Sequence, residues 1–265
     1  MQYSINWTRS AETDYLQIFV KILQNYSSKK MIEILTQYLQ KNHFSHFDLK
    51  AVIFDMDGVL YDSMPAHAES WQQTMEEFGY TSTEPLEFYY HEGRVGSSTI
   101  NMITEREFGR KATEKEIKKI YARKSELFAQ YNHGKIIPGI KEMIKFVKSH
   151  GLKPVLVTGS GQPSLLDRLD THFPEVFTPE TMVTAFDVEQ GKPDPEPYRM
   201  GLQKGGDLKP NQAIVIENAP LGIQSAVAAG IFTIAVNTGP LPDSALADAG
   251  ASIILDSMKA LLKKM

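Results

Sequence analysis

Four short apolar runs constrain the fold of this chain more than any other feature of its sequence. Ala51-Val52-Ile53-Phe54, Pro154-Val155-Leu156-Val157, Ala213-Ile214-Val215-Ile216 and Phe232-Thr233-Ile234-Ala235-Val236 are nearly continuous and rich in β-branched residues. Runs of this kind suit strands buried on both faces, as in a parallel sheet covered by helices. Met182-Val183-Thr184 and Ser252-Ile253-Ile254 are shorter candidates. Helical stretches around 140–149, 164–172, 197–204 and 222–229 lie between them. The alternation predicts an α/β fold, a Rossmann-like open parallel sheet with right-handed crossovers. At 265 residues, 42% of them hydrophobic, the chain can build such a core without disulfide or metal staples.

One interval breaks the rhythm. Roughly 75 residues separate the first run from Pro138-Gly139 with no convincing strand, too many for a simple connection. They read as helices at 65–78, 98–108 and 114–131, with Glu114, Lys115, Glu116, Lys118 and Lys119 forming a solvated face. A helical insertion placed after the first strand would sit over the carboxyl ends of the strands, where open α/β sheets bind ligands. Before the sheet, Met31, Ile34, Leu35 and Tyr38 follow amphipathic helical spacing, and Tyr15, Phe19, Ile22 and Tyr26 suggest an earlier helix. Packing against the body of the protein is the expected use of these faces. The expected division is an N-terminal helical extension at 1–48, an α/β core at 49–62 and 137–265, and a helical cap at 63–136.

Charge and composition narrow the function. The net charge of −4 and the scattered lysines and arginines give no basic face for nucleic acid. No apolar run approaches the roughly 18 residues needed to cross a bilayer. The stretch 15–23 is interrupted by Gln17 and Lys21 and preceded by Glu12 and Asp14, unlike a secretory signal. Cysteine is absent, which excludes thiolate chemistry. The expectation is a cytoplasmic monomer that binds no nucleic acid and no membrane.

Four pieces at strand ends carry the chemistry. Asp55-Met56-Asp57-Gly58 follows the first run, and side chains two apart in extended chain point the same way. Two carboxylates at one spot invite a division of labour: a cation keeps Asp55 charged while Asp57 holds a proton for a leaving group. Thr158 ends the second run, and Gly159-Ser160-Gly161 behind it exposes backbone N–H groups suited to an anion. This stretch imitates a dinucleotide fingerprint, but Ser164 stands where the third glycine belongs. In Gly191-Lys192-Pro193-Asp194-Pro195 the two prolines disfavour a helix and fix the lysine in a loop. Its ammonium can oppose a phosphoryl group and a carboxylate together. Glu217-Asn218 follows the third run, with oxygens that suit Mg²⁺; helix capping by Asn218 is the competing use.

Taken together, Asp55, Thr158, Lys192 and Glu217 resemble the four motifs of the haloacid dehalogenase superfamily, over a span from about Lys50 to the C-terminus. Within it the chain is similar to β-phosphoglucomutase-like phosphatases and mutases through Asp55–Leu60, His67, Trp71, 165–169, 191–198 and 222–226. The resemblance implies a Mg²⁺-dependent phosphohydrolase acting on a small phosphorylated substrate. Asp55, Asp57, Thr158 and Lys192 would be catalytic, and Asp55, Asp57, Glu217 and Asn218 would hold the metal. His67, Glu92, Arg94, Gly159 and Ser160 would meet the substrate.

Two departures from the family pattern bear on the substrate. The fourth motif usually carries two acids, whereas here the second is the neutral Asn218. A dianionic phosphate, Asp55 and Glu217 set against Mg²⁺ and Lys192 then sum to roughly −1, and a second acid would make it about −2. Asn218 would therefore tolerate a more highly charged substrate such as pyrophosphate or a bisphosphate. Similar sugar-phosphate mutases carry a basic loop of the Lys-Gly-Val-Ser-Arg kind, and the stretch here is His91-Glu92-Gly93-Arg94-Val95-Gly96-Ser97-Ser98. Arg94 can clamp a distal phosphate, and Glu92 can help bind a cation or position water. A hexose-phosphate mutase and a non-catalytic phosphate-binding regulator remain the alternatives.

Overall fold

Each of the apolar runs forms a strand because both of its faces are covered. A computed structural model describes residues 28–161 and 167–262. The expected helix around Tyr15–Tyr26, the stretch 15–23 and the beginning of the 164–172 helix lie outside the described residues. The strands β1 (Ala51–Phe54), β2 (Lys153–Val157), β3 (Met182–Val183), β4 (Ala213–Glu217), β5 (Phe232–Val236) and β6 (Ile253–Leu255) make one parallel sheet in the order β3-β2-β1-β4-β5-β6. In β1, Val52 and Phe54 enter one apolar cluster while Ala51 and Ile53 enter another on the opposite face. Two-sided burial is the reason the sequence shows no alternation there.

The helices in chain order are α1 (Ser28–Lys41), α2 (Met64–Glu77), α3 (Pro85–Tyr90), α4 (Gly96–Phe108), α5 (Glu114–Tyr131), α6 (Ile140–Ser149), α7 (Leu169–His172), α8 (Glu196–Lys204), α9 (Pro220–Ala228), α10 (Asp243–Asp248) and α11 (Met258–Leu262). Helix α1 buries Met31, Leu35, Tyr38 and Leu39 in the same cluster as Val52 and Phe54, so this part of the extension belongs to the core. The Tyr38 hydroxyl donates to the Gly230 carbonyl at 2.9 Å. Three short helices, α3, α10 and α11, escaped the sequence reading, and β6 lies one residue later than expected.

Helices α2 to α5 carry an apolar cluster of their own, built on Ala68, Trp71, Met75, Phe88, Ile100, Ile103 and Ile120. A capping box at Thr113 and Glu116 starts α5, whose face then packs along α2. The insertion leaves and re-enters the core through two adjacent linkers. Asp62 N–H donates to the Lys135 carbonyl at 2.8 Å and Ile137 N–H to the Leu60 carbonyl at 2.9 Å. Lys135 also reaches the Asp62 carboxylate at 2.6 Å. Among the described residues no helix is long and apolar enough to cross a membrane.

Candidate active site

The strand order changes direction at β1, with β2 and β3 on one side and β4 to β6 on the other. Such a switch opens a crevice at the carboxyl ends of the strands. Phe54 is in register with Leu156 and with Ile216, so Asp55 emerges between the ends of β2 and β4. Gly58 turns the chain at once. Its φ of +86° is a left-handed conformation, and a Cβ there would lie 1.9 Å from Asn218 Nδ2. The first motif and Asn218 therefore touch because position 58 has no side chain.

Lys192 crosses from the loop before α8 into this crevice. Its Nζ donates to Asp55 Oδ1 at 2.5 Å and to Glu217 Oε1 at 2.7 Å, and its side chain is 1% exposed. The Tyr198 hydroxyl donates to the same Glu217 oxygen at 2.8 Å. Glu217 Oε2 accepts from the N–H groups of Asn218 and Ala219 at 2.8 and 3.0 Å. Both oxygens of Glu217 are thus committed to protein donors. Asp55 Oδ2, Asp57 Oδ2 and Asn218 Oδ1, by contrast, are buried without a hydrogen-bond partner. A buried acceptor in that condition costs free energy unless a ligand completes it.

Asp57 is gripped on one oxygen only. Its Oδ1 accepts from Ser63 Oγ at 2.5 Å and meets His67 Nε2 at 3.1 Å. Lys124 Nζ lies 2.7 Å from His67 Nδ1 and stacks over the rings of Phe128 and Trp71. An ammonium can only donate, so Nδ1 is the acceptor and the ring proton sits on Nε2, directed at Asp57. Burial pulls His67 below its ordinary range, helped by Lys124 and opposed by Asp57, which leaves the ring neutral.

The two carboxylates are pushed apart. Burial drives Asp55 up to about 8; Lys192 opposes this, and the charges of Glu217 and Asp57 reinforce it. Burial also acts on Asp57, but His67, Ser63 and Lys124 outweigh it and hold the acid below its ordinary range. The protein's own charges and burial therefore favour the proton on Asp55, the reverse of the division expected from sequence. The expectation placed a cation beside Asp55, and that counter-charge is the missing contribution.

The insertion closes over these groups. A cavity of about 40 Å³ is lined by His67, Trp71, Glu92, Arg94 and Lys124 from the insertion and by Gly159 and Ser160 from the core. A Cβ on Gly159 would lie 2.5 Å from the Gly93 carbonyl oxygen, and one on Gly93 would lie 2.6 Å from Lys192 Cδ. Burial and the charges of Asp57 and Asp55 raise Glu92 well above the ordinary carboxylate range, against the pull of Lys124 and Lys192. Arg94 Nη1 reaches Ser98 Oγ at 3.4 Å, while its Nε is buried and unpartnered.

The structure brings together Asp55, Asp57, Lys192, Glu217 and Asn218, all buried, with Thr158 at 2% exposure beside them. Thr158 Oγ1 accepts from Ser160 N–H at 2.9 Å, which turns the backbone behind β2 and keeps the hydroxyl proton available. One competing use falls away and one boundary moves. Asn218 does not cap α9, because Ala219 holds the N-cap position and no side chain caps it. Gly96, Ser97 and Ser98 belong to α4, so the loop over the site is confined to 91–95. Among the described residues no three His, Asp or Glu side chains gather as a ready metal cluster. Of the four expected metal-binding residues, Asp55 and Asn218 offer open oxygens for a hard cation, Asp57 offers one, and Glu217 offers none. Mg²⁺ takes few protein ligands and keeps several waters, so this oxygen set fits it.

Three residues of the site were not found from sequence. Lys124 sits in line with Ile117, Ile120, Leu127 and Phe128, an apolar helical stripe; a lysine there was the available signal. Ser63 precedes a Pro-containing helix start and reads as an N-cap, yet its side chain makes no cap bond and serves Asp57 instead. Tyr198 occupies a core position of α8, and nothing in the sequence announces its hydroxyl contact.

Comparison with known proteins bears on this geometry. The sequence profile described as Haloacid dehalogenase-like hydrolase matches residues 52–236. Hexitol phosphatase A of Escherichia coli is 32% identical over 189 residues, 71% of this chain and 83% of that protein. The phosphorylated carbohydrates phosphatase of Thermotoga maritima is 33% identical over 207 residues, 77% of this chain and 92% of that one. A solved Bacteroides vulgatus structure, described as a candidate beta-phosphoglucomutase, superposes with a TM-score of 0.83 at 55% identity, covering 87% of this chain and 93% of its own.

Proposed function

Because the chain belongs to the haloacid dehalogenase-like hydrolase family and is an enzyme related to its phosphatases and mutases, we propose that it hydrolyses a small phosphate ester or pyrophosphate through an aspartyl phosphate on Asp55. The observation that carries this reading is Lys192 Nζ, buried between Asp55 Oδ1 and Glu217 Oε1, beside two carboxylate oxygens left open. A reading as a silent phosphate binder is set aside, since its relatives are enzymes and the motif residues converge.

In the first step an Asp55 oxygen attacks phosphorus in line, the bond to the leaving oxygen breaks, and Asp57 gives that oxygen its proton. In the second, Asp57 takes a proton from water, the water oxygen bonds to phosphorus, and the Asp55–phosphorus link breaks. Lys192 and Thr158 offset charge on the equatorial oxygens. Mg²⁺, held by Asp55 and Asn218 with waters, would neutralise further charge on the transferring group. Asp55 must start ionised and Asp57 protonated, the opposite of the tendencies set by the protein's own charges. A cation against Asp55 and an anionic phosphate against Asp57 would shift each acid in the required direction.

Asp57 suits its shuttle role, with Oδ1 fixed by Ser63 and His67 and Oδ2 open toward the site. The insertion acts as a cap: Arg94 meets a distal charged group, and Glu92 orients water or a cation. The named relatives act on phosphorylated hexitols and carbohydrates, which supports a polyol or sugar phosphate; Glu92 and the neutral Asn218 support pyrophosphate. Phosphate release from a panel of both, with Mg²⁺, tests the reading, and it fails if Asp55→Asn releases phosphate as fast as the wild type. The mutase alternative draws on the 55% identical structure and predicts conversion of a sugar 1-phosphate to its 6-phosphate with a bisphosphate primer.

A further inference from the structure

Glu217 is saturated by four donors, and one of them is a buried phenol that the chemistry above does not use. We propose that Tyr198 is a positioning residue, whose hydroxyl keeps the Glu217 carboxylate turned toward Lys192 as its anchor and out of the metal coordination. This rests on the phosphohydrolase reading for its kinetic consequence but not for its geometry.

Tyr198 is fully buried on α8, and its hydroxyl meets Glu217 Oε1 at 2.8 Å, the oxygen that also accepts from Lys192. Its ring lies under the ammonium, 5.2 Å from Nζ. The remaining oxygen of Glu217 is pinned by two backbone N–H groups at the entry to α9. Space is arranged for the same end: a Cβ on Gly222 would fall 1.7 Å from Glu217 Oε1. The carboxylate fills a slot that exists because position 222 has no side chain. A tyrosine that served packing alone would leave its hydroxyl needing another partner, whereas this one completes the Glu217 oxygen that also carries Lys192. With both oxygens engaged, Glu217 holds the lysine against Asp55, and the acceptors left for a cation are those of Asp55 and Asn218.

Tyr198→Phe in the full chain removes the hydroxyl and keeps the ring. Three measurements follow: phosphate release from pyrophosphate at saturating Mg²⁺, Mg²⁺ affinity by titration calorimetry, and the rate at which Lys192 is acetylated by acetic anhydride, read by peptide mass spectrometry. The expected result is a kcat lower by about tenfold, as for loss of other orienting partners, with KM and Mg²⁺ affinity unchanged and Lys192 labelled faster. Wild-type kcat and wild-type labelling in the variant would overturn the proposal, since Tyr198 would then only pack. A parallel change in Mg²⁺ affinity would also overturn it, by making Glu217 a ligand. If the wild type releases no phosphate from pyrophosphate, the pyrophosphate reading fails alone; labelling needs no turnover and still decides the role of Tyr198.

Discussion

The core floor and the inserted roof of the site differ in how their charged groups are held. On the floor, Glu217 has a donor on every side and Lys192 is locked between two carboxylates. On the roof, Arg94 Nε has no partner, Glu92 faces the cavity, and Lys124 is a buried ammonium held down to about 8 by burial, against the pull of Glu92 and Asp57. The floor supplies fixed charges that need no rearrangement during reaction, as electrostatic preorganisation requires. The roof carries groups whose partners arrive with the ligand, which suits it to selecting the substrate.

The sharpest way to break this comparison is Lys192→Met. Asp55 and Glu217 would share a buried site without a counter-charge, at a cost of about 3–5 kcal/mol, visible in chemical denaturation together with loss of turnover. If instead stability were unchanged, the floor would not be an electrostatic unit.

Lys124→Met should lower kcat on the order of 10- to 100-fold without lowering substrate-free stability at neutral pH, since the roof's lysine is a buried charge that acts through His67 on Asp57. The pH dependence adds a signature. Lys124 is charged below about pH 8 and loses the charge that polarises His67 above it, so wild-type activity should fall through that pH. Its folded pKa lies below the unfolded value near 10.5, so the unfolded chain binds more protons between those limits. Wild-type stability should therefore rise with pH across that window relative to the Met variant, opposite in sense to the activity.

A smaller effect is expected where roof meets floor. Gly159→Ala places a methyl against the Gly93 carbonyl and should prop the two apart, lowering kcat/KM by about tenfold with no change in Tm. Smallest is Asn218→Asp, which should tighten Mg²⁺ severalfold in calorimetry and demote pyrophosphate relative to monoesters. An unaltered substrate ranking would remove the charge-balance argument for Asn218.

The floor was also the more legible region. Its strands are buried on both faces, so their composition alone gave them away, and Asp55 and Glu217 stand at strand ends, with Lys192 in a proline-rich loop, where a motif can be seen in one dimension. What could not be read was how Glu217 is used, because its acceptors are filled by a tyrosine from another element and by backbone N–H groups. On the roof, Lys124 was hidden by its type: a lysine on a helix suggests solvent, and only the apolar residues around it place it inside. Short helices such as α3 and α10 span too few turns for a periodicity to register.

The paired linkers at Leu60–Asp62 and Lys135–Ile137 have a last consequence. Because the chain departs and returns through neighbouring, hydrogen-bonded segments, everything between them is joined to the reacting half at a single seam. Such a seam is a splice point. Exchange of one uninterrupted stretch of gene would present the same reacting carboxylates to a different recognition module, and the replacement would have to supply again the contacts that Ser63 and His67 make with Asp57.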